Sequence, residues 1–110
     1  YSLGGAITLW SLANGGVDPA DDNRVVDTDT VEAVLSVMMT SGFYNESGRW
    51  AFDAGLPAKS GVGGGIVAIV PGEMAIVAFS PRLSAAGNSV RGTGAIRHIS
   101  DALELSVFRP

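Results

Sequence analysis

Two apolar runs, Gly65-Ile66-Val67-Ala68-Ile69-Val70 and Ala75-Ile76-Val77-Ala78-Phe79, are separated only by Pro71-Gly72-Glu73-Met74. Both are rich in β-branched residues and too short for helices, and the link carries the turn formers proline and glycine. A link this short between two strands predicts an antiparallel hairpin. Neither run alternates with polar residues, so the hairpin is expected to lie centrally in a sheet covered on both faces. Ser80-Pro81 closes the second strand, because proline has no N–H to give to a ladder. Two strands alone make a marginal sheet. Further strands are therefore expected from chain outside these 110 residues.

Helices account for what covers the hairpin. Leu3, Ala6, Ile7, Trp10 and Ala13 recur at helical spacing, and Asn14-Gly15-Gly16 supplies a stop. The chain opens on Tyr1 inside this helix rather than on a methionine, the expectation for a segment of something longer. Residues 17–26 read as a loop around Pro19 and Asp21-Asp22-Asn23. Asp27 is placed to cap a second helix with Val31, Val34, Leu35, Met38 and Met39 inward, ended by Gly42. Residues 43–60 show no period and read as irregular, with Trp50 and Phe52, like Trp10, taken as core or interface material. A last helix, capped by Asn88 or Ser89, turns Val90, Ile96, Ile99 and Leu103 inward, with Gly92 and Gly94 loosening its start or allowing close packing. The fold class is α+β: two helices, a central antiparallel β-hairpin and a C-terminal helix packed on the sheet.

Composition removes several function classes. A formal net charge of −4, with seven scattered basic residues, argues against a nucleic-acid or anionic-membrane partner, since both need clustered positive charge. The absence of cysteine removes disulfide and thiolate-metal sites and fits a reducing, cytoplasmic setting. No apolar run approaches the roughly 18–20 residues of a membrane span. Five aspartates between Asp18 and Asp29 lack the spacing and central glycine of a calcium loop. His98 stands among Arg97, Ser100 and Asp101 with no second histidine to share a metal, and reads as solvated.

The segment Lys59-Ser60-Gly61-Val62-Gly63-Gly64-Gly65 carries the strongest hint of chemistry. It is not a phosphate loop, which places lysine and a hydroxyl residue after its glycines and before a helix; here they precede the glycines and a strand follows. Nor is it a dinucleotide fingerprint, because Ile66 stands where the third glycine belongs. Two readings stay open: glycines that ease the start of a strand, or backbone that faces a ligand. The second requires N–H groups such as that of Val62 to point into a pocket, as in an oxyanion hole. Tyr44, just past a helix end, is either a packed surface tyrosine or a proton relay beside a nucleophile or an ammonium. Lys59 is either solvated or held near such a site.

Several words together resemble the serine-dependent glutaminases, a family with a β-lactamase-like fold. They are Leu12-Ala13-Asn14-Gly15-Gly16, Val34-Leu35-Ser36-Val37-Met38, Gly42-Phe43-Tyr44, Gly55-Leu56-Pro57-Ala58-Lys59-Ser60-Gly61-Val62, Phe79-Ser80-Pro81 and Gly87-Asn88-Ser89-Val90-Arg91-Gly92. They cover nearly the whole chain in family order. The resemblance implies that residues 1–110 are a C-terminal segment of a glutaminase catalytic domain. It further implies hydrolysis of L-glutamine to L-glutamate and ammonia through a serine acyl-enzyme, without metal or organic cofactor, in a homo-oligomer. Tyr44 then corresponds to the tyrosine whose hydroxyl helps activate the serine, and Val62 to the residue whose N–H contributes to the oxyanion hole; both contact substrate. Lys59, Ser60 and Gly61 correspond to a wall strand of the site.

The departures from that pattern are as telling. Lys59 is the sole lysine and Leu56 stands three residues before it, so the family's Ser-x-x-Lys nucleophile motif is absent. It has to come from the N-terminal part of the same enzyme, and these residues alone are expected to be inactive. Tyr1 does not correspond to the family's upstream tyrosine. The family's Cys-Gly-Met-Tyr-Asp is Ser41-Gly42-Phe43-Tyr44-Asn45 here, which removes a negative charge beside Tyr44. The competing readings are a penicillin-binding or β-lactamase relative sharing the lysine–hydroxyl–glycine strand, and a non-catalytic scaffold remnant.

Overall fold

A computed structural model describes residues 3–109; Tyr1, expected to lie already within a helix, falls outside them. Four helices surround a three-stranded antiparallel sheet, in the order α1 (Leu3–Ala13), α2 (Thr28–Ser41), a 3-10 turn (Tyr44–Glu46), α3 (Ser47–Asp53), β1 (Ala58–Ser60), β2 (Gly65–Val70), β3 (Met74–Phe79) and α4 (Val90–Leu103). The hairpin is β2–β3, in register from Gly65 opposite Phe79 to Val70 opposite Met74. Gly72, at φ +81°, makes its turn and donates its N–H to the Ala13 carbonyl at 2.6 Å, tying the hairpin to the end of α1.

β2 is the middle strand, which explains its unbroken apolar sequence. Ile66, Ala68 and Val70 face Phe43, Trp50, Leu56 and Ile96, while Ile69 on the opposite face meets Leu12, Ala13 and Val31. The expectation of two covered faces therefore holds for β2. It does not hold for β3, one of the two edge strands among the described residues, where Val77 and Phe79 are 45% and 68% exposed.

Two elements arise inside the segment expected to be irregular. α3 has only seven residues, two turns, too few to display a period. It is fixed by Trp50, which stacks on Phe43 at 4.1 Å between ring centroids and donates its indole N–H to the Leu56 carbonyl at 2.8 Å. β1 has three residues and exists through its partner: Lys59 lies opposite Val67 and Ser60 opposite Ile66. Its last residue also meets the end of α2, because the Ser60 N–H donates to the Gly42 carbonyl at 2.9 Å.

α2 begins as expected, with the Asp27 carboxylate accepting from the Thr30 N–H at 2.8 Å. In α4 the cap is Ser89, whose Oγ accepts from the Gly92 N–H at 3.0 Å and donates to the Ser80 carbonyl at 2.7 Å. The inward stripe of α4 is Gly92, Ile96 and Ser100. Val90 and Leu103, expected inward, are half or more exposed. The polar Ser100 takes that place because its hydroxyl donates to the Ala54 carbonyl at 2.7 Å, which removes the cost of burying it. Gly92 is pressed between Ser89 and Ile66, whereas a side chain at Gly94 would meet open space. Trp10 and Phe52 are exposed and only Trp50 is core. His98 is exposed, as expected.

Candidate active-site wall

Past β1 the chain turns back through glycines. The Gly61 N–H donates to the Gly65 carbonyl at 2.9 Å and the Gly64 N–H to Gly61 at 3.0 Å, with Gly64 at φ +100°. A Cβ at Gly64 would crowd the backbone of Ser80 and Pro81, so this turn both needs the left-handed conformation and lies against the end of β3. Val62 sits at the tip with its side chain 70% exposed. Its N–H donates to no group among the described residues.

Tyr44 approaches from the other side. Gly42 ends α2, and Tyr44 itself adopts φ +53°, a left-handed backbone that costs a residue with a Cβ about 1–2 kcal/mol. The reversal aims the phenol at β1, where Tyr44 Oη donates to the Ser60 carbonyl at 3.3 Å. The Lys59 ammonium lies 4.6 Å from the centre of the tyrosine ring and also donates to the Ser60 carbonyl. A cation over an exposed aromatic face contributes roughly 0.5–1 kcal/mol, enough to bias both side chains toward this arrangement. Ser60 Oγ is fully buried and has no hydrogen-bond partner among the described residues.

Tyr44, Lys59, Ser60, Gly61 and Val62, the five residues singled out from sequence, thus line one open cleft of about 550 Å³, together with Gly63, Gly65, Val67 and Phe79. Its ionisable side chains are a phenol and an ammonium on a largely apolar floor, and Val62, at its rim, has an unengaged backbone N–H. That combination can relay a proton and hold a developing negative charge. No cluster of three or more histidine, aspartate or glutamate residues able to hold a metal occurs among the described residues. A second concavity, about 440 Å³ between α1 and β3, is lined by Ala6, Leu9, Trp10, Met74, Ala75 and Val77 and offers no ionisable side chain.

Sequence reasoning missed the residues behind the tyrosine. Asn88, read from sequence as a possible helix cap and as part of a family word but given no role at the site, reaches back across the chain. Its Nδ2 donates to the Phe43 carbonyl at 3.1 Å and to Glu46 Oε1 at 2.7 Å. Gly87, at φ +95°, lies against the Tyr44 ring and the Val62 side chain. The one available signal was the pairing of Asn88 with Ser89: two cap-forming residues in succession where a helix needs one.

A model of the glutaminase family matches residues 4–108. A glutaminase of Colwellia psychrerythraea is 53% identical over 103 residues, covering 94% of this chain and 33% of that protein. Glutaminase 1 of Escherichia coli strain K12 is 50% identical over 99 residues, covering 90% and 32%. Among solved structures, the probable glutaminase ybaS superimposes with a TM-score of 0.88 at 48% identity, covering 96% of this chain and 34% of that one. A Bacillus subtilis glutaminase, solved as a covalent complex with 5-oxo-L-norleucine, gives 0.86 at 36% identity, covering 89% and 36%. The chain spans about a third of the length of the relatives it matches. The α+β, β-lactamase-like architecture expected from the motifs is the one these structures share with it. With 105 of its residues spanned by the family model, from 4 to 108 inclusive, the chain belongs to the glutaminase family.

Proposed function

We propose that these residues form the C-terminal wall of a glutaminase active site whose nucleophile comes from the rest of the enzyme. The reading rests above all on one observation: Tyr44, Lys59 and Val62, whose N–H is unengaged, line a single cleft in a chain of this family. Lys59 is the sole lysine and no Ser-x-x-Lys is present, so the serine has to be supplied by another segment. The covalent norleucine complex of the Bacillus subtilis relative supports an acyl-enzyme route.

In this reaction the serine hydroxyl attacks the side-chain amide carbon of L-glutamine. The carbonyl oxygen becomes an oxyanion, and the Val62 N–H donates to it; a single such donor contributes about 10²–10³-fold to turnover. Tyr44 Oη receives the serine proton and passes one to the amide nitrogen, which leaves as ammonia. Water then attacks the acyl-enzyme, releasing L-glutamate and restoring the serine. Lys59 holds the tyrosine ring from above, and Ser60 and Gly61 form the strand edge beneath it.

The test is Tyr44→Phe in the full-length enzyme, assayed by ammonia release at saturating glutamine. The expected outcome is a fall in kcat of about 10²-fold or more, with a smaller change in KM. Unchanged ammonia release would overturn the relay. Turnover by residues 1–110 alone would overturn the assignment of the nucleophile to another segment. Hydrolysis of a chromogenic β-lactam in place of glutamine would overturn the substrate assignment.

A further inference from the structure

The left-handed backbone at Tyr44 is held by bonds on both of its flanking peptides, most of them local and one from far along the chain. On the preceding peptide, the Phe43 carbonyl accepts from Asn88 Nδ2 at 3.1 Å and from the Glu46 N–H at 3.0 Å. On the following peptide, the Tyr44 carbonyl accepts from Ser47 Oγ at 2.8 Å and from the Ser47 N–H. Ser47 Oγ also accepts from the Phe43 N–H at 2.9 Å. Two fixed peptide planes define φ and ψ of the residue between them. The direction in which the Tyr44 side chain leaves the backbone is therefore set by this frame.

Asn88 is the distant member. It is 1% exposed and does not line the cleft. Both of its side-chain partners, the Phe43 carbonyl and Glu46 Oε1, are acceptors, so its amide nitrogen has to face them. Glu46 Oε1 takes a second donor, Ser84 Oγ, at 3.0 Å. Ser84 in turn closes the turn that carries Asn88: its N–H donates to the Asn88 carbonyl at 2.7 Å, and its Oγ accepts from the Asn88 N–H at 3.3 Å. The next residue, Ser89, is anchored to the end of β3 and the start of α4. The sheet end, the α4 cap and the tyrosine turn are thereby joined in one hydrogen-bonded chain.

We propose that Asn88, supported by Glu46 and Ser84, is a positioning residue that aims Tyr44 into the cleft. The inference rests on the reading of Tyr44 as the proton relay. Asn88 acts only through Tyr44, so its loss should matter only while the phenolic hydroxyl is present. Asn88→Asp keeps the size of the side chain but turns an oxygen toward the Phe43 carbonyl and the Glu46 carboxylate, replacing attraction by repulsion.

The experiment is a double-mutant cycle in the full-length enzyme, measuring kcat and KM for glutamine. Asn88→Asp should lower kcat about tenfold, with KM changed less than about twofold. In a Tyr44→Phe background the same substitution should lower kcat by less than about twofold. Glu46→Gln, which keeps the Oε1 acceptor, should retain most of kcat, while Glu46→Ala should lose about as much as Asn88→Asp. Should Asn88→Asp fail to fold, Ser84→Ala, half-buried and removing one donor, takes its place in the cycle with an expected loss of about threefold. Equal fold-losses with and without the Tyr44 hydroxyl, or an unchanged kcat in a folded Asn88→Asp enzyme, would overturn the positioning role and leave the relay standing. Full activity in Tyr44→Phe alone would overturn the relay itself.

Discussion

Gly42 joins α2 to the site, and replacing it with alanine sets two physical effects against each other. Its backbone, at φ −73° and ψ −15°, is one that any residue adopts. Judged by conformation alone, Gly42→Ala should stabilise the protein by about 0.4–1 kcal/mol, by restricting the unfolded chain. The surroundings forbid it. A methyl group there would overlap the Ala58 carbonyl oxygen and crowd the Met38 carbonyl; Ala58 is itself fully buried in β1. The strand has to move, and the bond from the Ser60 N–H to the Gly42 carbonyl at 2.9 Å is the first to stretch. Overpacking costs about 1–3 kcal/mol and a weakened buried hydrogen bond about 1 kcal/mol more. The expected net loss is roughly 2–3 kcal/mol, read as a lower midpoint in urea unfolding. Gly94→Ala is the control, since it lies within α4 with nothing near its absent Cβ; it should gain about 0.5–1 kcal/mol. A Gly42→Ala midpoint at or above the parent, or a Gly94→Ala midpoint that falls as far, would refute the steric account.

Two further perturbations test the helix starts. Ser89→Ala removes the α4 cap and leaves the Ser80 carbonyl without its 2.7 Å donor; a loss of about 1–2 kcal/mol is expected, and an unchanged melting temperature would contradict it. At Asp27, the Thr30 backbone N–H, then the Thr30 side chain, holds the carboxyl below its ordinary value of 3.8. A lowered pKa means the folded state favours the charged form, so this stabilisation is complete above pH 3.8 and is lost as pH falls through the depressed value. Asp27→Asn should therefore melt lower than the parent at neutral pH, with the gap closing in acid; a gap independent of pH would reject the charged cap.

What the sequence made legible is set by length and locality. The β2–β3 hairpin could be read because its strands are apolar runs joined by only three residues, and the Asp27 cap because its partner is Thr30, three residues on. α3 and β1 were hidden because each is too short to show a period and is specified by packing and pairing rather than by its own pattern. Trp50 becomes a helix anchor only when Phe43 stacks on it and Leu56 accepts its N–H. Ala58-Lys59-Ser60 becomes a strand only opposite Val67 and its neighbours. In α4 the apolar period misled: Val90 and Leu103 drew the stripe toward solvent, while Gly92 and Ser100 took the buried side.

The same distinction runs through the site. Lys59 to Gly65 drew notice by composition, a lysine and a hydroxyl residue leading a glycine cluster into a strand, but that pattern alone left a strand entry and a ligand-facing backbone equally open. Tyr44 could be chosen from its family words, but nothing local shows that its backbone is left-handed. That conformation costs about 1–2 kcal/mol, and it persists because Asn88, 44 residues further along the chain by the difference of the two numbers, donates to the peptide before it. A residue that looks like a spare helix cap in sequence is thus committed elsewhere, which leaves Ser89 to cap α4. The neighbouring pair divides two tasks that one residue cannot perform together: Ser89 anchors the helix to β3, and Asn88 carries that anchor across to the tyrosine turn. The left-handed backbone at Tyr44 and the Asn88 bond that helps hold it then lie in different parts of the sequence, and only the fold brings them together.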